Sequence, residues 1–174
     1  MAHVVFLRAA NVGGNNVFRP AQLAKALEHL GVVNVGAAGT FVVRERVPAA
    51  ELRREFLARL KFDPAIAIVP AKLLMDLVRS DPFHGVTFSK GFRGWAAPLC
   101  GRAKSTPTLP IVVPSENDWS VRFERVHASF ALGVWRWRAG GFVFASNVVE
   151  KALGVPATTR WWETFERIAK VLDQ

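Results

Sequence analysis

The segment of this chain best suited to chemistry is the run Asn11-Val12-Gly13-Gly14-Asn15-Asn16. Adjacent glycines can turn successive backbone N–H groups toward one point, the geometry that holds an anion. Arg8 and Arg19 flank the run with positive charge, and a helix opening at Pro20 would add the positive end of its dipole. Arg8, Asn11, Gly13 and Gly14 are therefore candidate anion ligands. The run has neither the Gly-Lys-Ser/Thr of a P-loop nor the third glycine of a dinucleotide fingerprint. The competing reading is a tight connection that needs glycine only for its backbone angles.

A second cluster lies near the C-terminus. Thr158, Thr159, Arg160 and Trp162 precede or open an amphipathic stretch with Trp162, Phe165, Ala169 and Leu172 on one face. Hydroxyls and a guanidinium at a helix start can hold a phosphate or carboxylate, so Arg160 and Trp162 join the candidate ligand set. The same residues also fit a purely structural role, with a threonine cap, a core tryptophan and an arginine bonded to nearby carbonyls.

The third candidate is Trp135-Arg136-Trp137-Arg138, echoed by Phe92-Arg93-Gly94-Trp95. Bases stack on aromatic and guanidinium planes, which suggests a platform for single-stranded nucleic acid. Strand alternation, however, sends both tryptophans to one side and both arginines to the other. The rings then belong to the core, and only the arginines reach phosphates. Arg93, Arg102, Lys104, Arg136 and Arg138 are the cations expected to form such a surface.

Other chemistries find little support. His3, His29, His84 and His127 lack metal-ligand spacing, and Cys100 is the only cysteine, so no metal centre and no internal disulfide are expected. Cys100 has no histidine near it in sequence to activate a thiolate. No cofactor motif is present, and no nucleophile elbow or close acid pair appears.

The formal charge is +9, from 23 Lys and Arg against 14 Asp and Glu. Such an excess favours nucleic acid or another phosphate-rich partner. The acids are unevenly spread: none occurs from residue 82 to 115, nor from 125 to 149, so basic surface is expected along those stretches of the second half. At 51% hydrophobic and 21% charged residues the composition is that of a folded globular protein. No apolar run approaches a membrane span, and Ala2–Leu7 reads as a first strand, not a signal peptide. A cytoplasmic location is expected.

The elements that must position these residues follow from periodicity. The first half reads strand, helix, strand, strand, helix, strand, then a third helix. Strands fall at Val4–Leu7, Val32–Val35, Thr40–Arg44 and Ala65–Val69; helices open at Pro20, Pro48 and Pro70, the last stopped by Asp81-Pro82. That order is the split βαβ, ferredoxin-like plait. Its strands are apolar at consecutive positions, so both faces of the sheet should be buried, the second by the rest of the chain. The third strand also lacks the basic and aromatic signature of an RNA-recognition motif.

In the second half, strands are expected at Val86–Phe88, Phe92–Ala96, Pro110–Val113, Val121–Glu124, Ser129–Trp137 and Phe142–Ala145, with a hairpin at Gly140-Gly141. Asn147 and Glu150 resemble a capping box for a helix ending at Gly154, and a final helix starts at Thr159. The expected class is α+β: two ferredoxin-like subdomains packed together, their antiparallel sheets carrying helices on the outer faces. The expected division is 1–83 and 84–174.

These segments together resemble the domain of unknown function family 1697. Members carry Arg-Gly-Ile-Asn-Val-Gly-Gly, matched by Arg8-Ala9-Ala10-Asn11-Val12-Gly13-Gly14 apart from two alanines. Leu30-Gly31 and Asp81-Pro82-Phe83 fit as well. Thr158, Arg160, Trp162 and Thr164 keep the spacing of the family's Thr-x-Arg-Asn-Trp-Asn-Thr, with Trp161 and Glu163 replacing asparagines. The resemblance implies a two-part plait in a cytoplasmic bacterial protein and no particular activity. One departure stands out: the family's Gln-Ser-Gly-Asn turn is Ala37-Ala38-Gly39-Thr40 here.

Three functions follow as expectations. The first is binding of nucleic acid or another phosphate-rich ligand through basic loops and helix N-termini. The second is a small-molecule enzyme or binder with Arg8, Asn11 and Arg160 around a cleft between the subdomains. The third is a protein-interaction module.

Overall fold

A computed structural model describes residues 1–11, 14 and 16–174. The chain is α+β, with a four-stranded and a five-stranded antiparallel sheet, each carrying helices. It divides into two compact units, Met1–Arg79 with Glu166–Gln174, and Ser80–Phe165.

The first unit runs β1 (His3–Leu7), α1 (Pro20–Ala26), β2 (Val32–Asn34), β3 (Thr40–Val43), α2 (Ala49–Leu57), β4 (Ile66–Pro70) and α3 (Ala71–Arg79). Its strand order, β2-β3-β1-β4, is that of the plait. Pro20 opens α1 as expected, since a first-turn proline gives up an N–H that would have no partner. Gly31 closes the short 3-10 turn after α1 at φ 61°, a left-handed angle that glycine adopts without strain.

Both faces of this sheet are buried. Val5, Leu7, Phe41 and Val43 meet Leu23 of α1, Leu27 just after it, and Leu52 and Phe56 of α2 in one apolar cluster. Alternation places Val4, Phe6 and Val42 on the opposite side, and these too are 0% exposed. Strands with apolar residues at consecutive positions bury both faces, as the runs Val4–Leu7 and Phe41–Val43 do here. Helix α3, with Leu74 and Leu77 buried, packs against β1 and β4.

The second unit holds β5 (Phe92–Pro98), β6 (Ile111–Val113), β7 (Val121–His127), β8 (Phe130–Arg136), α4 (Ala145–Leu153) and β9 (Arg160–Trp161), followed by α5 (Trp162–Leu172), which begins here and ends in the first unit. The sheet order is β6-β7-β8-β5-β9. Leaving β6 aside, it repeats the plait order, with β5, β7, β8 and β9 standing where β1, β2, β3 and β4 stand in the first unit. The first crossover is not a helix but the irregular segment 99–110.

Several local expectations for this half need correction. Val86–Phe88 forms no strand; only an isolated bridge joins Ser89 to Phe92. The hairpin is not at Gly140-Gly141 but between β7 and β8, where Ala128 takes the left-handed angle φ 51°. Phe142–Ala145 is not a strand either, because α4 already begins at Ala145. Asn147 therefore lies inside the helix, and Glu150 accepts the Ala157 N–H at 2.8 Å instead of reaching back to a cap. The residues around Thr159 do not cap α5, since Arg160 and Trp161 first pair with β5.

Candidate functional site

Asn11 and Asn16, at the two ends of the glycine run, are both bonded to main chain. Asn11 takes φ 55°, a left-handed angle that asparagine tolerates better than other side chains. Its Nδ2 donates to the Ala37 carbonyl at 2.8 Å, and its Oδ1 accepts the Phe18 N–H at 2.9 Å. Asn16 donates to the Ala9 carbonyl at 3.1 Å. Asn11 thus latches the β1–α1 connection to the β2–β3 turn, and both ends of its amide are engaged. The Leu7 N–H donates to the Gly39 carbonyl, and a Cβ at Gly39 would stand 2.9 Å from that of Leu7. The turn at 37–40 is therefore the partner of Asn11. Arg8 is half-buried and Gly14 exposed, while Gly13 lies outside the described residues.

Arg160 and Trp162 are structural in their surroundings. Arg160 is 8% exposed; it donates to Thr158 Oγ1 at 2.7 Å and to the Thr159 carbonyl at 2.9 Å. Burial lowers its guanidinium to about 10, because the charged form loses hydration, with nearby Cys100 acting in the opposite sense. Trp162 stacks on Phe165 at 5.5 Å and meets Phe83 edge-on at 5.1 Å. The structure does not bring Arg160 and Trp162 to an open helix end.

The five expected surface cations divide. Arg136 folds over the Trp119 ring at 4.4 Å and donates to the Trp119 carbonyl at 2.7 Å. Arg138 pairs with Asp118, whose carboxyl it holds below the usual carboxylate range by hydrogen bonding. Arg102 and Lys104 are exposed on the loop after β5, and no side-chain bond engages either among the described residues. Arg93, like Arg136, lies over a tryptophan ring, and that ring belongs to a larger aromatic row.

In the antiparallel sheet Arg93 lies opposite Trp135, and directly opposed residues share a face. The same face carries Trp95, which opposes Trp161 of β9. Arg93 consequently rests 4.2 Å above the Trp161 ring, with Glu163 accepting its far side at 3.2 Å. Trp161 meets Trp135 at 5.5 Å, Trp135 meets Phe142 at 5.3 Å, and Phe142 meets Phe144 at 4.9 Å. The result is a continuous row of four rings with one guanidinium stacked on its first member.

This row corrects the objection drawn from alternation. Within β8 alone, Trp135 and Arg136 do point to opposite sides, yet the neighbouring strand supplies Arg93 to the ring side. It also corrects the assignment of both tryptophans to the core. Trp135 is 7% exposed, but Trp137 follows the end of β8 and is 67% exposed. Phe142 and Phe144 stand half exposed on the segment leading into α4. Sequence reasoning missed both phenylalanines, having placed them in a strand; an apolar pair beside Gly140-Gly141 was the available signal.

Among the described residues no group of three His, Cys, Asp or Glu side chains could hold a metal ion, and no helix is long and apolar enough to cross a membrane.

The model of a family described as "Protein of unknown function (DUF1697)" matches residues 1–91. No curated protein matches the sequence. Among solved structures, a conserved bacterial protein from Streptococcus pneumoniae is similar in fold, with a TM-score of 0.59, 15% identity, and 98% of each chain covered.

Proposed function

This chain belongs to the DUF1697 family of proteins of unknown function, and with no activity to take from that family we propose, from the chain's own residues, that its second unit binds single-stranded nucleic acid without strong sequence preference. The supporting observation is the row Trp161, Trp135, Phe142 and Phe144 with Arg93 stacked on its end. Every base offers a π face, so stacking accepts any sequence and contributes about 1–3 kcal/mol per base. Half-exposed phenylalanines leave hydrophobic surface in water that a base would cover. The exposed Arg102 and Lys104, with the overall charge of +9, add long-range attraction for the phosphates. The reading rests on rings and basic loops and not on helix ends, because Asn11 and Arg160 already have intramolecular work.

Fluorescence anisotropy with labelled single-stranded RNA and DNA of about 12 nucleotides, a length within the usual site sizes for such platforms, tests it across a salt series. Micromolar binding that weakens with salt is expected, and a Phe142→Ser/Phe144→Ser variant with an unchanged thermal melt should bind at least about 10-fold more weakly, as loss of one or two stacked bases implies. Absence of salt-sensitive binding at micromolar protein would end the proposal, and so would undiminished binding by the double variant.

A further inference from the structure

The first unit carries a groove with a different character. It lies between residues 17–26, which lead into and form α1, and residues 59–62 after α2, and encloses about 380 Å³. That is within the range of small-molecule sites, roughly 300–1,000 Å³. Its floor is apolar: Phe18, Leu23, Leu60 and Phe62 all belong to or pack on the core of this unit, and Phe18 meets Phe62 edge-to-face at 5.9 Å. Val17 at the rim is 72% exposed.

The rim is cationic. Arg19, Arg59 and Lys61 line it and no acid does. Arg59 is committed to Glu55 at 2.7 Å, but Arg19 and Lys61 are exposed and have no carboxylate partner among the described residues. An apolar floor selects an apolar body, and two uncompensated cations at the mouth select one negative head.

We infer that this groove is a binding site for an apolar monocarboxylate, its hydrocarbon body laid on Phe18, Leu60 and Phe62 and its carboxylate bonded to Arg19 and Lys61. The site is independent of the nucleic-acid reading, since every residue in it belongs to the first unit. Val17 closes over the body of the ligand, and Gln22, exposed beside the cations, supplies a further donor to the head group.

The test is an amide chemical-shift titration of the full ¹⁵N-labelled chain with decanoate, kept below its micellar concentration, and with decanol as the uncharged counterpart. Decanoate should shift the amides of residues 17–19, 21–26 and 59–62 saturably, and decanol should bind at least tenfold more weakly. An Arg19→Glu/Lys61→Glu variant, altered only at exposed positions, should lose at least tenfold in decanoate affinity with the rest of its spectrum unchanged. The inference fails if decanoate shifts nothing in those segments, if its shifts fall on Phe142 and Phe144 instead, or if decanol and the double variant bind as well as the original pair.

Discussion

The two units of this chain solve one topology in two ways. Both place four strands in the same plait order, and in both the last strand passes at once into a helix, β4 into α3 and β9 into α5. They differ at the first crossover. In the first unit α1 and α2 together close one face of the sheet over Val5, Phe41 and Val43. In the second, α4 lies over Trp95, Val121 and Phe123, and the remaining cover comes from Ala103, Leu109 and Ile111, from or beside the irregular first crossover. A loop covers less apolar area than a helix. Phe142 and Phe144 complete the layer from its margin, and they remain half exposed. The lesson is that a sheet which replaces a helix by a loop keeps its order and gains an aromatic surface.

The largest expected effect breaks the second unit alone. At Gly133 of β8, a Cβ would stand 2.0 Å from the Arg122 carbonyl oxygen and 2.4 Å from the Trp95 ring. Neither neighbour can give way, one being backbone and the other a fully buried indole. Gly133→Ala should therefore cost about 3 kcal/mol or more, the upper end for overpacking. The loss should appear as earlier denaturant melting of amides in residues 80–165 while those of β1 and β3 persist. Uniform loss across both units would show that they do not melt separately.

A smaller effect breaks the first unit's loop. Asn11→Ala removes two hydrogen bonds and puts alanine at φ 55°, which together should cost about 2–3 kcal/mol. If Asn11 is a latch and not a ligand, nucleic-acid affinity should be unchanged while thermal stability falls. A variant that keeps its melt and loses affinity would reverse that assignment.

These two positions also show what was legible in the sequence. The first unit was readable because its strands carry apolar residues at consecutive positions and its helices are punctuated by Pro20, Pro48 and Gly31, local signals that tertiary context did not override. The second was readable only in part. Trp135 to Arg138 looked like one alternating strand, but the ladder ends at Arg136, and nothing in the residues announces where pairing stops. Arg93 could not be joined to Trp161 from sequence, because their meeting depends on the registers of β5 with β8 and β9, some 70 residues apart. The Asn11 loop illustrates the reverse: its composition suggested a ligand site, and the partner that uses up its amide is a main-chain carbonyl 26 residues away.

The comparison can be sharpened at the second unit's cationic margin. Asp118 holds Arg138 and is itself well exposed. Asp118→Ala removes one negative charge and the acceptor that holds Arg138, releasing the guanidinium without disturbing buried contacts. Affinity for single-stranded nucleic acid should rise about 2- to 3-fold at low salt, in keeping with one added phosphate contact, and the salt dependence should steepen. An unchanged affinity would place Arg138 outside the contact surface.

The smallest expected effect returns to the first unit, at His3 on β1. Its Nδ1 is buried with no hydrogen-bond partner among the described residues. Burial, and secondly the α-ammonium of Met1, lower its pKa from the ordinary 6.5, because both disfavour the imidazolium. The unfolded chain therefore takes up this proton at a higher pH than the folded one does. Between 6.5 and the lowered folded value the unfolded state binds more protons, so stability rises with pH across that window. Stability should accordingly be full above 6.5 and decline as pH falls through the window, by a modest amount since the ring is not fully enclosed. Denaturant midpoints at pH 7.5 and 5.5, for the native chain and for His3→Thr, isolate the contribution, other titrating groups being common to both. The native chain should lose more stability on acidification than the variant does. Equal losses would mean that the end of β1 at His3 is already open to water, and that the first sheet is less completely sealed than its apolar strands require.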